Sequence, residues 1–139
     1  MSVADDGRSL NIMAMAGLGP LKALLERARA GDVAAQYNLG VQYFTGAGVP
    51  QNYLEAAKWY GAAADQGDAQ AQFNLGLMFY GGTGIPKNIP YAYELFSLAA
   101  RQGDERARQG MAAILTEVSP EEAAELRRLD EEGQAATQH

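Results

Sequence analysis

The stretch Gly31–Gln66, GDVAAQYNLGVQYFTGAGVPQNYLEAAKWYGAAADQ, decides the fold, because a variant of it follows without a gap as Gly67–Gln102, GDAQAQFNLGLMFYGGTGIPKNIPYAYELFSLAARQ. Between the two, 15 of the 36 positions are identical, and most of the others exchange one apolar or aromatic residue for another. A third copy opens at Gly103 as GDERARQGMAAIL and then diverges. A period of this length marks a solenoid of stacked helix pairs, in which each unit covers its neighbour's apolar face.

Within the first copy, Asp32 follows the helix-stopping Gly31 and stands as N-cap of a helix over about residues 33–45. Ala35, Leu39 and Tyr43 recur on one face of that helix, and Gly40 permits a close helix–helix approach. The loop TGAGVPQ ends it, and Asn52 caps a second helix with Glu55 at the third position, an asparagine form of the capping box. Ala56, Trp59, Tyr60, Ala63 and Ala64 form the inward face of this second helix. The second copy repeats the devices: Asp68, then Leu75, Gly76 and Phe79, then GGTGIPK, then Asn88 with Pro90 in the first turn. Its second helix carries Ala92, Leu95, Phe96, Ala99 and Ala100 inward. The third copy keeps Asp104, Ala107, Met111 and Leu115, loses the glycine-rich loop, and has SPEE instead, with Ser119 as N-cap.

The segments outside the copies complete the organisation. Residues 1–8 are expected to be disordered, and residues 9–30 to form a degenerate repeat that caps the N-terminal end. Within it, LGPLKALLERARAGD predicts a helix with Leu21, Leu24, Leu25 and Ala28 on one face. Residues 31–66 and 67–102 are the full repeats, 103–132 form a polar C-terminal cap, and 133–139 are expected to fray.

These residues carry a family resemblance. AQYNLG (35–40), GAGVP (46–50), AAKWY (56–60) and AAADQG (62–67) resemble the Sel-one-like repeat, as do AQFNLG, GTGIP and LAARQG in the second copy. That family is a subgroup of the tetratricopeptide-type (TPR-like) helical repeats, and the likeness covers about residues 20–132. The third copy departs from the pattern, with Ala112 in place of the glycine and no aromatic residue. The resemblance implies an all-α, right-handed α-solenoid of antiparallel helix pairs. It also implies adaptor proteins, widespread in bacteria, that assemble complexes by binding proteins and do not catalyse reactions.

Composition excludes several other functions. The chain has 139 residues and no cysteine, so disulfide frameworks and thiolate chemistry are absent. Its one histidine is the terminal His139, a poor place for a general base or a metal ligand. A formal charge of −6 argues against nucleic acid and against an anionic membrane surface as partners. Asp5 and Asp6 stand where a signal peptide needs positive charge, and the apolar run after them is short and broken by Asn11. A cytoplasmic protein is the expectation, with a periplasmic or secreted one open if a leader was removed. The glycines at 46–48 and 81–84 lack the preceding strand and the G-x-G-x-x-G run of a nucleotide loop, so they read as turn glycines. None of Ser2, Ser9, Ser97 and Ser119 has lysine three residues on or a mid-chain histidine to activate it. The adjacent acids Glu121/Glu122 and Asp130–Glu132 suit a helix N-terminus and a solvated end better than a hard cation. Cofactors, metals and catalytic residues are therefore expected to be none.

Binding residues are sought on the helix faces left over. All twelve aromatic residues lie between Tyr37 and Phe96, where the 72 residues of the full repeats hold only eight charges, so an apolar contact surface belongs there and not in the caps. At about 100° per residue, Tyr37, Val41 and Phe44 fall opposite the core face of the first helix, as do Phe73, Leu77 and Tyr80 in the next copy. Two readings stand: these side chains pack on the neighbouring helix, or Val41, Phe44, Leu77 and Tyr80 form an apolar strip on the concave surface. A more polar stripe runs beside them through Asn38, Gln42, Asn74 and Met78. Asparagine is a weak helix former, so Asn38 and Asn74 either bond a backbone group in the adjacent repeat or hold a bound peptide backbone. The expected site is a concave groove for a protein or peptide segment, contacted by Asn38, Val41, Gln42, Phe44, Asn74, Leu77, Met78 and Tyr80. The chain is expected to be a monomer or to self-associate weakly. The alternatives are a self-associating assembly module, a regulatory fragment of a larger protein, and a β-lactamase-like hydrolase.

Overall fold

The computed structural model describes residues 19–137. The disordered terminus expected at 1–8 and the first half of the N-terminal cap, 9–18, lie outside the described residues. Seven helices follow one another: α1 over residues 19–29, then α2 (Val33–Thr45), α3 (Tyr53–Asp65), α4 (Ala69–Gly81), α5 (Ile89–Arg101), α6 (Glu105–Glu117) and α7 (Pro120–Thr137). No strand occurs among the described residues. Helices α2/α3 and α4/α5 are the antiparallel pairs of the two full repeats, stacked into the right-handed solenoid that the sequence implies.

Local chemistry fixes the helix ends. Each of the caps read from the sequence accepts a backbone N–H: Asp32 from Ala35 at 3.1 Å, Asn52 from Glu55 at 3.1 Å, Asp68 from Ala71 at 2.8 Å and Asn88 from Tyr91 at 3.1 Å. Ser119 Oγ does the same for Glu122 at 3.1 Å. Such caps are each worth about 1 kcal/mol over alanine. At the other end, Gly46 and Gly82 take φ of 76° and 65° and return their N–H groups to the carbonyls of Gln42 and Met78, a turn that needs the left-handed region.

The core is a string of small clusters rather than one mass. Ala28, Ala35, Leu39 and Trp59 close the N-terminal end with Leu21, Leu24 and Leu25 of α1. Tyr60, Leu75, Met78 and Leu95 join the two repeats. Phe96, Ala107, Ile114 and Leu126 join the second repeat to the cap.

A glutamine tie that the sequence reading passed over runs alongside. Gln66 Nε2 donates to the Gly31 carbonyl at 3.0 Å and to Gln36 Oε1 at 2.8 Å, while buried Gln36 donates to the Ala28 carbonyl at 3.0 Å. Gln102, Gln72 and the Gly67 and Ala64 carbonyls repeat the pattern one unit on.

The cap differs from the expectation in two places. On α6 the fully buried side chains are Ala107 and Ile114, with Met111 and Leu115 only half-buried. Helix α7 continues through 133–137, where fraying was expected, and is tied to α5 by the Arg101–Asp130 ion pair at 2.7 Å and by the Ser97 hydroxyl on the same carboxylate.

Candidate functional site

Stacking α4 beside α2 leaves a hollow of about 340 Å3 between them, walled by Tyr37, Val41 and Phe44 of α2, Tyr60 of α3, Asn74, Leu77 and Met78 of α4, and Thr83 of the following loop. No charged residue lines it. Leu77, at 45% exposure, is among the most open large apolar side chains of the described residues. Phe44 stands at the mouth, its ring edge-on to Tyr53 with centroids 5.1 Å apart. Gln51 Nε2 donates to the Phe44 carbonyl at 2.8 Å and so holds that end of α2.

The floor is polar. Asn74 Nδ2 donates to the Tyr37 hydroxyl at 3.4 Å, and the rings of Tyr37 and Tyr60 pack with centroids 5.8 Å apart. Burial, and then the neighbouring Tyr37, push the Tyr60 phenol up to about 12, with the Asn74 hydrogen bond working the other way. Tyr60 is therefore a neutral hydroxyl at ordinary pH. The next junction holds the counterparts Phe73, Phe96 and Gly110, with ring centroids 5.7 Å apart and no hydroxyl or amide. Gly110 lets the α6 backbone close onto the Phe96 ring.

Of the eight residues singled out in the sequence, Val41, Phe44, Asn74, Leu77 and Met78 come together here. Met78 corrects the expectation, since it is only 2% exposed. Helix α4 has a repeat on either side, so the side chain at this position is covered from both and backs the hollow's wall, not an outer contact. Tyr80 is also corrected: its hydroxyl donates to the Glu117 carboxylate and its ring lies under Lys87, so it closes the seam with the cap and does not line the hollow. Asn38 is exposed and Gln42 half-exposed, and neither lines it. Tyr37, Tyr60 and Thr83 were absent from the expected contacts. The signal for the first two was present in the hydroxyls that Tyr37 and Tyr60 carry and Phe73 and Phe96 lack. A larger hollow of about 610 Å3 lies between α5 and α7, but it is the seat of the capping helix, bridged by Arg101 and Asp130.

No group of acids and histidines able to hold a metal occurs among the described residues. None of the described helices is long and apolar enough to cross a membrane.

The fold defines a helical-repeat protein of the α-solenoid class. The Sel1 repeat family model matches residues 33–68 and 69–104, two units set two residues later than the frame used above. A solved Sel1 repeat protein from Oxalobacter formigenes is 33% identical, with TM-score 0.63 over 70% of this chain and 74% of that one. A protective antigen present in uropathogenic Escherichia coli strains, described as displaying an SLR fold, is 38% identical with TM-score 0.67. There the match covers 70% of this chain but only 21% of the antigen, so this chain spans about a fifth of that relative's length. No curated protein gives a match. The chain belongs to the Sel1 repeat family. Sel1 repeat proteins are in general protein-interaction scaffolds, and their fold is typically non-catalytic.

Proposed function

We propose that this protein is a non-enzymatic adaptor that binds a protein segment in the concave hollow between α2 and α4. The observation that carries the reading is an apolar cavity with an uncharged wall and one open leucine, Leu77, set over a polar floor. An aliphatic or aromatic side chain fits the wall, and the carbonyl oxygen of Asn74 and the hydroxyls of Tyr37 and Tyr60 suit a neutral backbone amide. A charged side chain would lose its hydration there without gaining a partner. The contacts are Val41, Phe44, Asn74 and Leu77, with Tyr37, Tyr60 and Thr83 completing the wall. Catalysis is disfavoured by the residues themselves, since the hollow offers no carboxylate, imidazole or thiol.

The test is capture from a lysate of the source organism by wild type and by Leu77→Glu, with circular dichroism on both. A partner held by wild type and lost by the folded variant supports the hollow. A partner held equally by both moves the binding surface elsewhere.

A further inference from the structure

We propose that the outer side of α3 is the contact surface for a second copy of this chain, the two α3 helices crossing antiparallel about a two-fold axis beside Gly61. The inference goes beyond the binding reading above and does not depend on it. Tyr60, the α3 residue at the hollow between α2 and α4, belongs to the opposite, buried face of the helix.

Leu54, Lys58, Gly61 and Asp65 follow one another at intervals of four, three and four residues, so they share one stripe of α3, opposite the buried Ala56, Tyr60 and Ala63. Leu54 is 66% exposed, the most open of the large apolar side chains among the described residues. Beside the stripe runs a hollow of about 500 Å3 between α3 and α5, lined also by Phe79 and Tyr91. At Gly61 the helix is bare, since a β-carbon there would meet only Leu75 Cδ2, at 3.9 Å. The counterpart stripe on α5 is already taken: Ser97, at the place of Gly61, is buried under the Asp130 carboxylate of α7, and Arg101, at the place of Asp65, pairs with the same group.

The charges on this stripe complement themselves. Among the described residues neither Lys58 nor Asp65 has an ion-pair partner. The Lys58 ammonium lies 5.2 Å from the centre of the Trp59 ring. At the other end Asp65 and Glu94 both lie near the Tyr91 phenol, adding to the upward push that burial gives it. The stripe thus has a basic half and an acidic half, and midway between Lys58 and Asp65 lies the Gly61–Ala62 step. A two-fold axis there sets Lys58 of each copy against Asp65 of the other, each pair about 5 Å from the crossing. A parallel pairing would oppose like charges along the same stripe. The missing side chain at Gly61 lets the two backbones approach. Leu54, about 11 Å from the axis, then reaches the Tyr91 end of the other copy's hollow and leaves water. A single helix crossing buries less than the roughly 1,200 Å2 of a standard interface, so the dimer is a weak one, dispersed by dilution.

Sedimentation velocity over a concentration series of the full chain tests this. The expected result is a monomer on dilution and a dimer at high concentration. Leu54→Ser, Lys58→Glu and Asp65→Lys all change exposed side chains, and circular dichroism with the melting midpoint confirms each fold. Each is expected to weaken association at least about tenfold, the two reversals by setting like charges face to face. Mixing the Lys58→Glu chain with the Asp65→Lys chain is expected to restore the dimer as a mixed pair, because both cross-helix contacts then join opposite signs. Leu77→Glu, on the other face, is expected to leave the dimer intact. A monomer at every concentration would overturn the proposal and leave the face to a helix of another protein. A dimer indifferent to all three substitutions, or one lost with Leu77→Glu, would overturn it by moving the self-contact elsewhere. So would a mixture that stays monomeric although each reversal disperses the dimer. None of these outcomes bears on partner capture by the hollow, which stands or falls on its own test.

Discussion

A β-carbon on Gly76 would lie 2.7 Å from Cε1 of Phe96: the ring of α5 rests on the bare backbone of α4. Gly40 and Tyr60 stand in the same relation one repeat earlier, where the contact would be 2.4 Å. The glycine lets the paired helices approach until an aromatic ring, not a side-chain layer, forms the seam. In α6 the corresponding residue is Ala112, and the glycine has moved two places back to Gly110, on the other side of Phe96. The ring is thus gripped from both sides.

Gly76→Ala is expected to destabilise the protein despite improving helix propensity. Alanine in a helix interior is favoured over glycine by about 1 kcal/mol. Overpacking against a ring that is 1% exposed costs about 1–3 kcal/mol and reverses the sign. Gly61→Ala is the control: in the middle of α3 its β-carbon would sit 3.9 Å from Leu75 Cδ2, an ordinary contact, so it should raise stability. Urea unfolding of both variants checks the pair. A stabilised Gly76→Ala would show that the seam is loose.

Gln72→Ala is expected to loosen the coupling between repeats more than it disturbs either one. The side chain is 4% exposed, donates to the Ala64 carbonyl of the preceding repeat and accepts from Gln102. Removing it leaves buried groups short of a partner, at about 1–3 kcal/mol. Because stability in a solenoid is shared between units and their interfaces, the unfolding slope should fall along with the midpoint. An unchanged slope and midpoint would mean the tie is ornamental. Arg108 stands at this position in the cap, exposed, and no such tie forms there.

How much of this was legible in the sequence depends on the physics each residue obeys. The helices, the four Asp and Asn caps and the glycine–aromatic seams of the full repeats recur at 36 residues, so one alignment of the chain with itself exposes them. Gln36, Gln72, Gln66 and Gln102 were identical between copies and still passed over, because a polar residue in a helix gives no sign of burial without a neighbour to bond. Asn74 read as bonding either a backbone group of the adjacent repeat or a ligand; its amide instead donates to the Tyr37 side-chain hydroxyl at 3.4 Å, and the ligand role is a proposal. Met78 and Tyr80 were misplaced for one reason: helix periodicity gives the face of one helix but not which neighbour covers it. Covering is decided by the adjacent repeats, and the third copy, with its displaced glycine, breaks the period on which the reading relied.

Alkaline pH should separate Tyr60 from the rest. Its folded value of about 12 lies above the ordinary 10.0, so the native state holds a proton that the unfolded chain has lost. The stability this contributes is fully present below about pH 10 and is lost as pH rises toward 12. Burial raises Tyr91 and Tyr93 as well, so Tyr60→Phe should shrink the alkaline loss without abolishing it. Phe96 fills the corresponding place in the second repeat, and the variant should fold normally at neutral pH. Denaturant midpoints measured on both chains across the alkaline range decide it; equal losses would mean that Tyr60 titrates in water.

Asn74→Ala is expected to part stability from binding. Alanine returns about 0.5 kcal/mol of helix propensity at this mid-helix position. Losing a long hydrogen bond to Tyr37 takes away about 0.5–1 kcal/mol. The two nearly cancel, and the thermal midpoint should move little. The hollow, however, loses its one amide, and a bound backbone loses the acceptor that Asn74 Oδ1 presents. Partner capture should weaken several-fold while circular dichroism and melting stay near wild type. Asn38→Ala is the matched control, since Asn38 is exposed and does not line the hollow. Equal weakening by both variants would place the bound segment along the asparagine stripe and not in the hollow. A large drop in melting temperature for Asn74→Ala alone would make the residue a structural tie between repeats.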